Sequence, residues 1–247
     1  MKSKLNTVLL FSISLFVLFN LTSCESDGYS LGDHYGSIAT VQVGDNGHAH
    51  SFTLDNGETM FVAATATNYK PEYERVLIDY TILGKDATGY EGYDYVIKLN
   101  RYFEDILTKP IIYVAEDDEE QQKVVGYDKI KVASIYAKGE YITIRFGINM
   151  AGKDKHLLNL VALNENKEQQ GDEPIKLEFR HNKNNDEEHY ASGLSHVCFK
   201  IDDYIAANQD KESITFEVSW VEYNGETKIE KLKYTLPPLS VVSSSHN

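Results

Sequence analysis

His48-Ala49-His50 spaces two imidazoles so that a strand would present both on one face, an arrangement a transition metal can use. A third ligand could come from His34 or Asp45. The pair adjoins the turn Gly44-Asp45-Asn46-Gly47, where exposed polar residues are common, so no metal is expected. Between His181 and His189, the run Asn182-Lys183-Asn184-Asn185-Asp186-Glu187-Glu188 offers oxygens for calcium but lacks the spaced acids and glycine of a calcium loop. It reads as a solvated hairpin tip. Cys198 lies near His196 in Ser195-His196-Val197-Cys198-Phe199, where a thiol nucleophile is conceivable, but an apolar strand-like stretch suits a small buried hydrophobe better. No nucleophile elbow, phosphate loop, zinc helix or paired-cysteine motif occurs, and no two carboxylates are marked as a pair. The sequence therefore predicts no catalytic residue, no cofactor and no enzyme.

Tyrosine is the one enriched residue type with a use in recognition. Tyr69, Tyr73, Tyr90, Tyr93 and Tyr95 cluster in sequence, with Gly89 and Gly92 among them. Aromatic rings stack on sugars or fill protein pockets with little entropy to lose, so these five are the candidate ligand-binding residues. The formal charge of −14 disfavours phosphodiester backbones, whose binding rests on Lys and Arg, and nucleic acid is excluded as a partner. A basic protein, a peptide or a glycan suits an acidic scaffold better.

Cys24 has a different chemistry. Lys2 and Lys4 precede an apolar run from Val8 to Leu21, too short for a comfortable bilayer span of roughly 20 residues and shaped like an export signal. Leu21-Thr22-Ser23-Cys24 resembles a bacterial lipobox, which implies a diacylglycerol on the thiol, cleavage before Cys24 and acylation of the new amino terminus. Each buried methylene contributes about 0.8 kcal/mol, so several chains anchor firmly. Losing Lys2 and Lys4 makes the mature charge −16. Cys198 is then the remaining thiol, and no internal disulfide is expected.

The elements that position these residues read as strands. Ser37 to Val43, His48 to Leu54 and Thr59 to Thr65 are separated by Asn-Gly turns, which supply the positive φ of tight hairpins. Arg75 to Leu83 and Tyr93 to Leu99 add two more, and five strands suit a small OB-like barrel. Tyr102 to Leu107 is expected as a short helix stopped at Lys109-Pro110. The acidic run from Ala115 to Lys123 is expected as a solvated linker or loop.

Beyond it, Ile142, Ile144, Phe146 and Ile148 alternate with Thr143, Arg145 and Gly147, the pattern of a half-buried strand. Ile175-Leu177-Phe179 and Ile214-Phe216-Val218-Trp220 repeat it. With Lys129 to Ala137, His156 to Leu163, Tyr190 to Ile201 and Lys228 to Leu236, about seven strands fit an antiparallel β-sandwich. Ile229 is out of phase with Leu232, Tyr234 and Leu236, which predicts a bulge near Glu230-Lys231. Asp202 to Ala207 predicts one helical turn capped by Asp202 or Asp203. The fold class is all-β: signal peptide 1–23, lipidated tether 24–34, barrel 35–114, acidic linker 115–124, sandwich 125–237 and flexible tail 238–247.

Asp27-Gly28-Tyr29-Ser30-Leu31-Gly32-Asp33, Asn68-Tyr69-Lys70-Pro71 before Arg75-Val76, Tyr80-Thr81-Ile82-Leu83, and Leu177-Glu178-Phe179-Arg180-His181-Asn182 together resemble the NigD-like lipoproteins of Bacteroidetes. The resemblance implies an N-terminal OB barrel, a C-terminal β-sandwich and a role in bacteriocin immunity. It implies attachment to the outer membrane, on the periplasmic face or the cell surface, the latter because Glu25 and Asp27 loosely resemble a surface-export signal. The expected partners are the membrane, through the lipid, and a protein toxin, as the resemblance implies, with an envelope protein or a glycan, suited to the tyrosines, as alternatives. Arg180-His181-Asn182 reads as strand-end chemistry, with a functional edge as the alternative.

Overall fold

The computed structural model describes residues 29–85, 89–152, 154–187, 189–191 and 193–237. The expected signal peptide, Cys24, its acidic neighbours and the tail 238–247 lie outside the described residues. Strands β1 (Tyr35–Val43), β2 (Ala49–Leu54), β3 (Thr59–Thr65), β4 (Arg75–Lys85) and β5 (Tyr95–Pro110) build the first module. The turns joining β1, β2 and β3 place Gly47 and Gly57 at φ +76° and +88°, which glycine adopts without a Cβ penalty. β1 pairs with β4, β4 with β5, and β3 runs parallel to β5, so the five strands close into a barrel. Three register shifts along β4 and β5 supply the extra twist that closure needs. Phe52, Met60, Val76, Ile78 and Ile97 fill the interior.

The rest of the chain forms β6 (Ile112–Tyr113), α1 (Glu119–Val125), β7 (Lys131–Lys138), β8 (Tyr141–Gly147), β9 (Asn149–Met150), β10 (Leu157–Ala162), β11 (Ile175–Asn182), β12 (Tyr190–Ala191), β13 (Ser195–Lys200), α2 (Asp202–Ala207), β14 (Ser213–Val221) and β15 (Thr227–Thr235). One layer runs β5-β13-β8-β7 and the other β15-β14-β11-β10-β6. Ile142, Ile144, Phe179, Phe199 and Phe216 interdigitate between them, each worth about 1.5–3 kcal/mol when fully buried. Hairpin neighbours are antiparallel, but β5 with β13, β6 with β10 and β11 with β14 are parallel. The chain between β11 and β14 crosses to the other layer and back, which delivers β14 in the same direction.

Several local expectations are corrected. Tyr102 to Leu107 is not helical: β5 continues for 16 residues, about 50 Å, pairing with β4 as far as Ile106 and then with β13 from Leu107 to Pro110. Partners on either side override the local helical reading, and Pro110 is tolerated at the strand's last position, where a missing N–H costs little. The acidic run is partly helix: the Asp118 side chain accepts from the Gln121 N–H at 3.0 Å, and Glu119 and Glu120 sit in the first turn, where the helix dipole favours them. β15 has no bulge; its register with β14 is continuous, and Ile229 stays exposed because one solvated isoleucine costs less than a broken ladder. The N-cap of α2 is Ile201, with no side-chain cap from either aspartate. β8 is buried on both faces, since Tyr141 and Thr143 turn toward the barrel.

That second burial is the junction of the modules. Tyr141 and Cys198 pack with Ile38, Leu77 and Ile106 of the barrel. Arg75 is 1% exposed there; it donates to Asp55 Oδ1 at 2.5 Å and Thr40 Oγ1 at 3.0 Å, and its guanidinium lies 4.4 Å from the Tyr141 ring centre. Burial alone would lower the Arg75 pKa, but the Asp55 carboxylate outweighs it and raises it. Lys200 with Glu74 at 2.8 Å and His196 with Glu104 at 2.6 Å flank the joint.

The N-terminal approach is pinned to the barrel at Asp79, which meets His34 Nδ1 at 2.8 Å, the Asn100 amide at 3.0 Å and Arg101 Nε at 3.2 Å. Burial pushes the Asp79 carboxyl up, but the hydrogen bonds from Asn100 and His34 outweigh it and hold it below the ordinary carboxylate range.

Arg75→Met should lower unfolding free energy by about 3 kcal/mol in urea titrations, because Asp55 is left half-buried and unpaired. Adding Asp55→Leu should restore roughly half of that loss. Asp79→Asn should be less stable than the parent at pH 7. A depressed carboxyl stabilises above its unfolded pKa of about 3.9 and loses that contribution as pH falls through the folded value, so the difference should shrink as pH falls below about 3.9.

Candidate functional site

The five tyrosines divide into two groups. Tyr90 and Tyr93 lie in the segment between β4 and β5, where Gly89 and Gly92 at φ +91° and +96° fold the chain back over β2 and β3. There Tyr90 and Tyr93 stand 4.6 and 5.4 Å from Phe61, and His50 stands 5.2 Å from it edge-on. Tyr93 Oη and His50 Nε2 are 3.3 Å apart. Asp94 fixes the base of this segment by accepting from Thr59 N at 2.7 Å and Thr59 Oγ1 at 3.0 Å, bonds that hold its carboxyl below the usual range. The result is an aromatic face on strands β2 and β3 and the β4–β5 segment, the part of an OB barrel that commonly meets ligands. Its His50 belongs to a ring cluster; among the described residues no group of three or more metal-ligating side chains occurs.

Tyr95 turns inward against the barrel core, with its hydroxyl donating to Glu58 at 3.1 Å. Tyr69 and Tyr73 serve a loop. Asp105 accepts from the Tyr69 hydroxyl at 2.7 Å, from Glu72 N at 2.6 Å and from Tyr73 N at 3.1 Å. The bond to Asp105, with burial, pushes the Tyr69 phenol up to about 12. Cys198 is fully buried, its hydrogen-bonding neighbour is Thr143 at 3.4 Å, and burial pushes its thiol up, away from the nucleophilic thiolate.

A second feature was not legible from residue types. A cleft of about 640 Å³ opens between α1, β6, β10 and β11, with Val114, Val161 and Leu163 as its apolar floor and Tyr113 and Tyr127 at its sides. Arg180 forms its inner wall. That side chain is 7% exposed, donates to Glu178 Oε2 through Nε and Nη2, and lies flat on Tyr127 with 3.5 Å between guanidinium carbon and ring centre. Gln122 ties the same wall together, accepting from the Tyr127 hydroxyl at 2.7 Å and donating to Ala115 O at 2.9 Å.

The phrase Arg180-His181-Asn182 builds this wall. The Asn182 amide donates to Lys123 O and Val124 O at 3.0 and 2.8 Å, clamping the open end of α1 to β11. His181 Nδ1 donates to Lys129 O at 2.9 Å, while its Nε2 meets His156 Nδ1 at 2.8 Å, and His156 Nε2 stands 3.2 Å from Asp186. Asp186 corrects the reading of 182–189 as a wholly solvated tip. Asn184 and Asn185 make the exposed turn at φ 53° and 66°, but Asp186 is 2% exposed, since Ala151 N and Gly152 N donate to it at 2.8 and 3.1 Å. The capped helix signature at Asp118 to Gln121, followed by Val124-Val125, was the sequence signal that something covers the polar face of β11.

Gly126 makes the close approach possible. A Cβ there, at φ +70°, would stand 2.6 Å from Asn182 Cβ and 2.7 Å from His181 O. Gly126→Ala should therefore cost at least about 2 kcal/mol in urea unfolding and speed amide exchange in α1. Unchanged stability would contradict the docking of α1 on β11.

Residues 38–102 match the model of the NigD-like N-terminal OB domain, and residues 113–234 match that of the NigD-like C-terminal β-sandwich domain. Among solved structures the chain is similar to a protein named as toxin-related from Parabacteroides distasonis, with 26% identity over 82% of this chain and 94% of that one and a TM-score of 0.67. It is equally similar to a protein of unknown function from Bacteroides vulgatus, with 26% identity, coverage of 84% and 93%, and a TM-score of 0.65. It shares its fold with a NigD-like immunity protein from Bacteroides caccae, at 18% identity, coverage of 85% and 100%, and a TM-score of 0.61. No curated protein matches the chain. The two domain models, in this order and together spanning most of its length, show that the chain belongs to the NigD-like family.

Proposed function

We propose that this protein is an envelope lipoprotein, fastened through acyl chains on Cys24, that protects its cell by binding a protein toxin of the bacteriocin type. The observation that carries this reading is the aromatic face of His50, Phe61, Tyr90 and Tyr93, whose loop also carries the carboxylates of Glu91 and Asp94, on an open barrel surface. Such a face recognises by stacking and burial, with no reactive group. Two similar structures are named as an immunity protein and as toxin-related, which favours a toxin over other partners.

Immunity by contact requires occupancy of the toxin before it reaches its target. A mature charge of −16 raises the encounter rate with a basic partner, because opposite fields steer the approach. The lipid supplies location. No helix among the described residues is long and apolar enough to cross a membrane. The ten peptide links from Cys24 to His34 reach at most about 35 Å before the Asp79 anchor. The barrel would therefore patrol a shell close to the membrane surface.

A strain lacking the protein should become sensitive to bacteriocin-producing neighbours, and the intact gene should restore resistance. Cys24→Ser should leave a folded protein in the soluble envelope fraction and fail to protect. Phe61→Ala with Tyr93→Ala should remain membrane-bound and also fail. Unchanged sensitivity of the deletion strain, or full protection by the aromatic double variant, would overturn the proposal.

A further inference from the structure

The cleft beside α1 is a second site, on the other module, and its chemistry differs from that of the barrel face. We infer that it binds a neutral saccharide of about two rings. At about 640 Å³ it lies within the range of small-molecule sites and well above the space that one side chain occupies. Two tyrosines flank it, Tyr113 44% and Tyr127 55% exposed, and Leu163 beside them is 47% exposed. Rings held in this way present flat apolar platforms for the C–H face of a sugar, and Arg180 behind Tyr127 fixes that platform in place.

The polar groups decide the class. Glu116, Glu119 and Glu178 stand around the cleft with Lys123 and Arg180, so charges of both signs line it. An anion would meet three carboxylates, and a cation would meet an arginine and a lysine. Hydroxyl groups, which donate and accept, can use both kinds. Arg180 brings little net charge, since Glu178 already neutralises it; its Nε and Nη2 both meet Glu178 Oε2 while its Nη1 donates to Gln122 Oε1 and Gly126 O at 3.4 Å, which leaves Glu178 Oε1 to accept from a ligand. Lys123, whose ammonium stands 4.0 Å from Glu119, is a donor in the lining of the cleft. A purely apolar ligand would bury these groups unpaired.

The site is also preorganised. Gln122 is locked at both ends of its amide by Tyr127 and Ala115, and Asn182 and Gly126 hold α1 against β11, so binding does not require ordering the walls.

Saturation-transfer NMR on the full chain with maltose, cellobiose, lactose and N,N′-diacetylchitobiose tests this directly. At least one should receive saturation. Tyr113→Ala should weaken its binding about tenfold with the unfolding temperature unchanged, whereas Phe61→Ala, which removes the barrel face, should leave it unaltered. Glu119→Gln should weaken it less than Tyr113→Ala. Silence from all four sugars, sugar binding lost in Phe61→Ala and kept in Tyr113→Ala, or displacement of the sugar by citrate or hexalysine would overturn the inference. Loss of toxin protection in Phe61→Ala with sugar binding intact would separate this site from the immunity reading.

Discussion

Backbone hydrogen bonding along β5 joins the two modules, because its first residues pair with β3 and β4 inside the barrel and its last four pair with β13 in the sandwich. A strand that passes from β4 at Ile106 directly to β13 at Leu107 has no unpaired stretch at which to hinge without breaking ladder hydrogen bonds. The joint is reinforced from the side. Arg75, Asp55 and Thr40 come from the barrel, and the ring beneath the guanidinium is Tyr141 of the sandwich. A buried ion pair of this kind adds little net stability against an apolar replacement, yet it penalises any alternative packing that would separate its partners. The eight-stranded sheet and the dry layer of Ile38, Leu77, Ile106, Tyr141 and Cys198 then make one body of two domains.

Rigidity at that joint gives the two candidate surfaces a fixed relation. The aromatic face on β2, β3 and the β4–β5 segment and the cleft under α1 sit on different modules and have different chemistry, one open and aromatic, the other walled and lined by charges of both signs. A single partner could meet both, or each could have its own.

The sequence made the parts with local causes legible and hid those with distant ones. Asn-Gly turns and period-two runs such as Ile142-Ile144-Phe146 report the chain's own geometry, and those strands lie where the pattern puts them. Tyr102 to Ile106 is held extended by β4, some 25 to 30 residues upstream, and Leu107 onward by β13, some ninety residues later, so the segment looked locally like a helix. Thr143 looked like a solvent-side residue because the cover of that face belongs to the other module. Asp186 looked exposed because its donors, Ala151, Gly152 and His156, lie thirty and more residues upstream. The tyrosine cluster in sequence was a fair guide to Tyr90 and Tyr93 converging, but it could not separate them from Tyr69, Tyr73 and Tyr95, whose hydroxyl or backbone bonds to Asp105 and Glu58 only folding reveals. Arg180 in the family phrase was visible, and the helix that makes it a wall was disguised as an acidic linker.

Scanning calorimetry of the full chain tests the single-body account most directly. A strand shared by both modules predicts one unfolding transition whose calorimetric and van't Hoff enthalpies agree. Two resolved transitions, one for each module, would show that the barrel and sandwich melt independently and that β5 does not bind them into one unit.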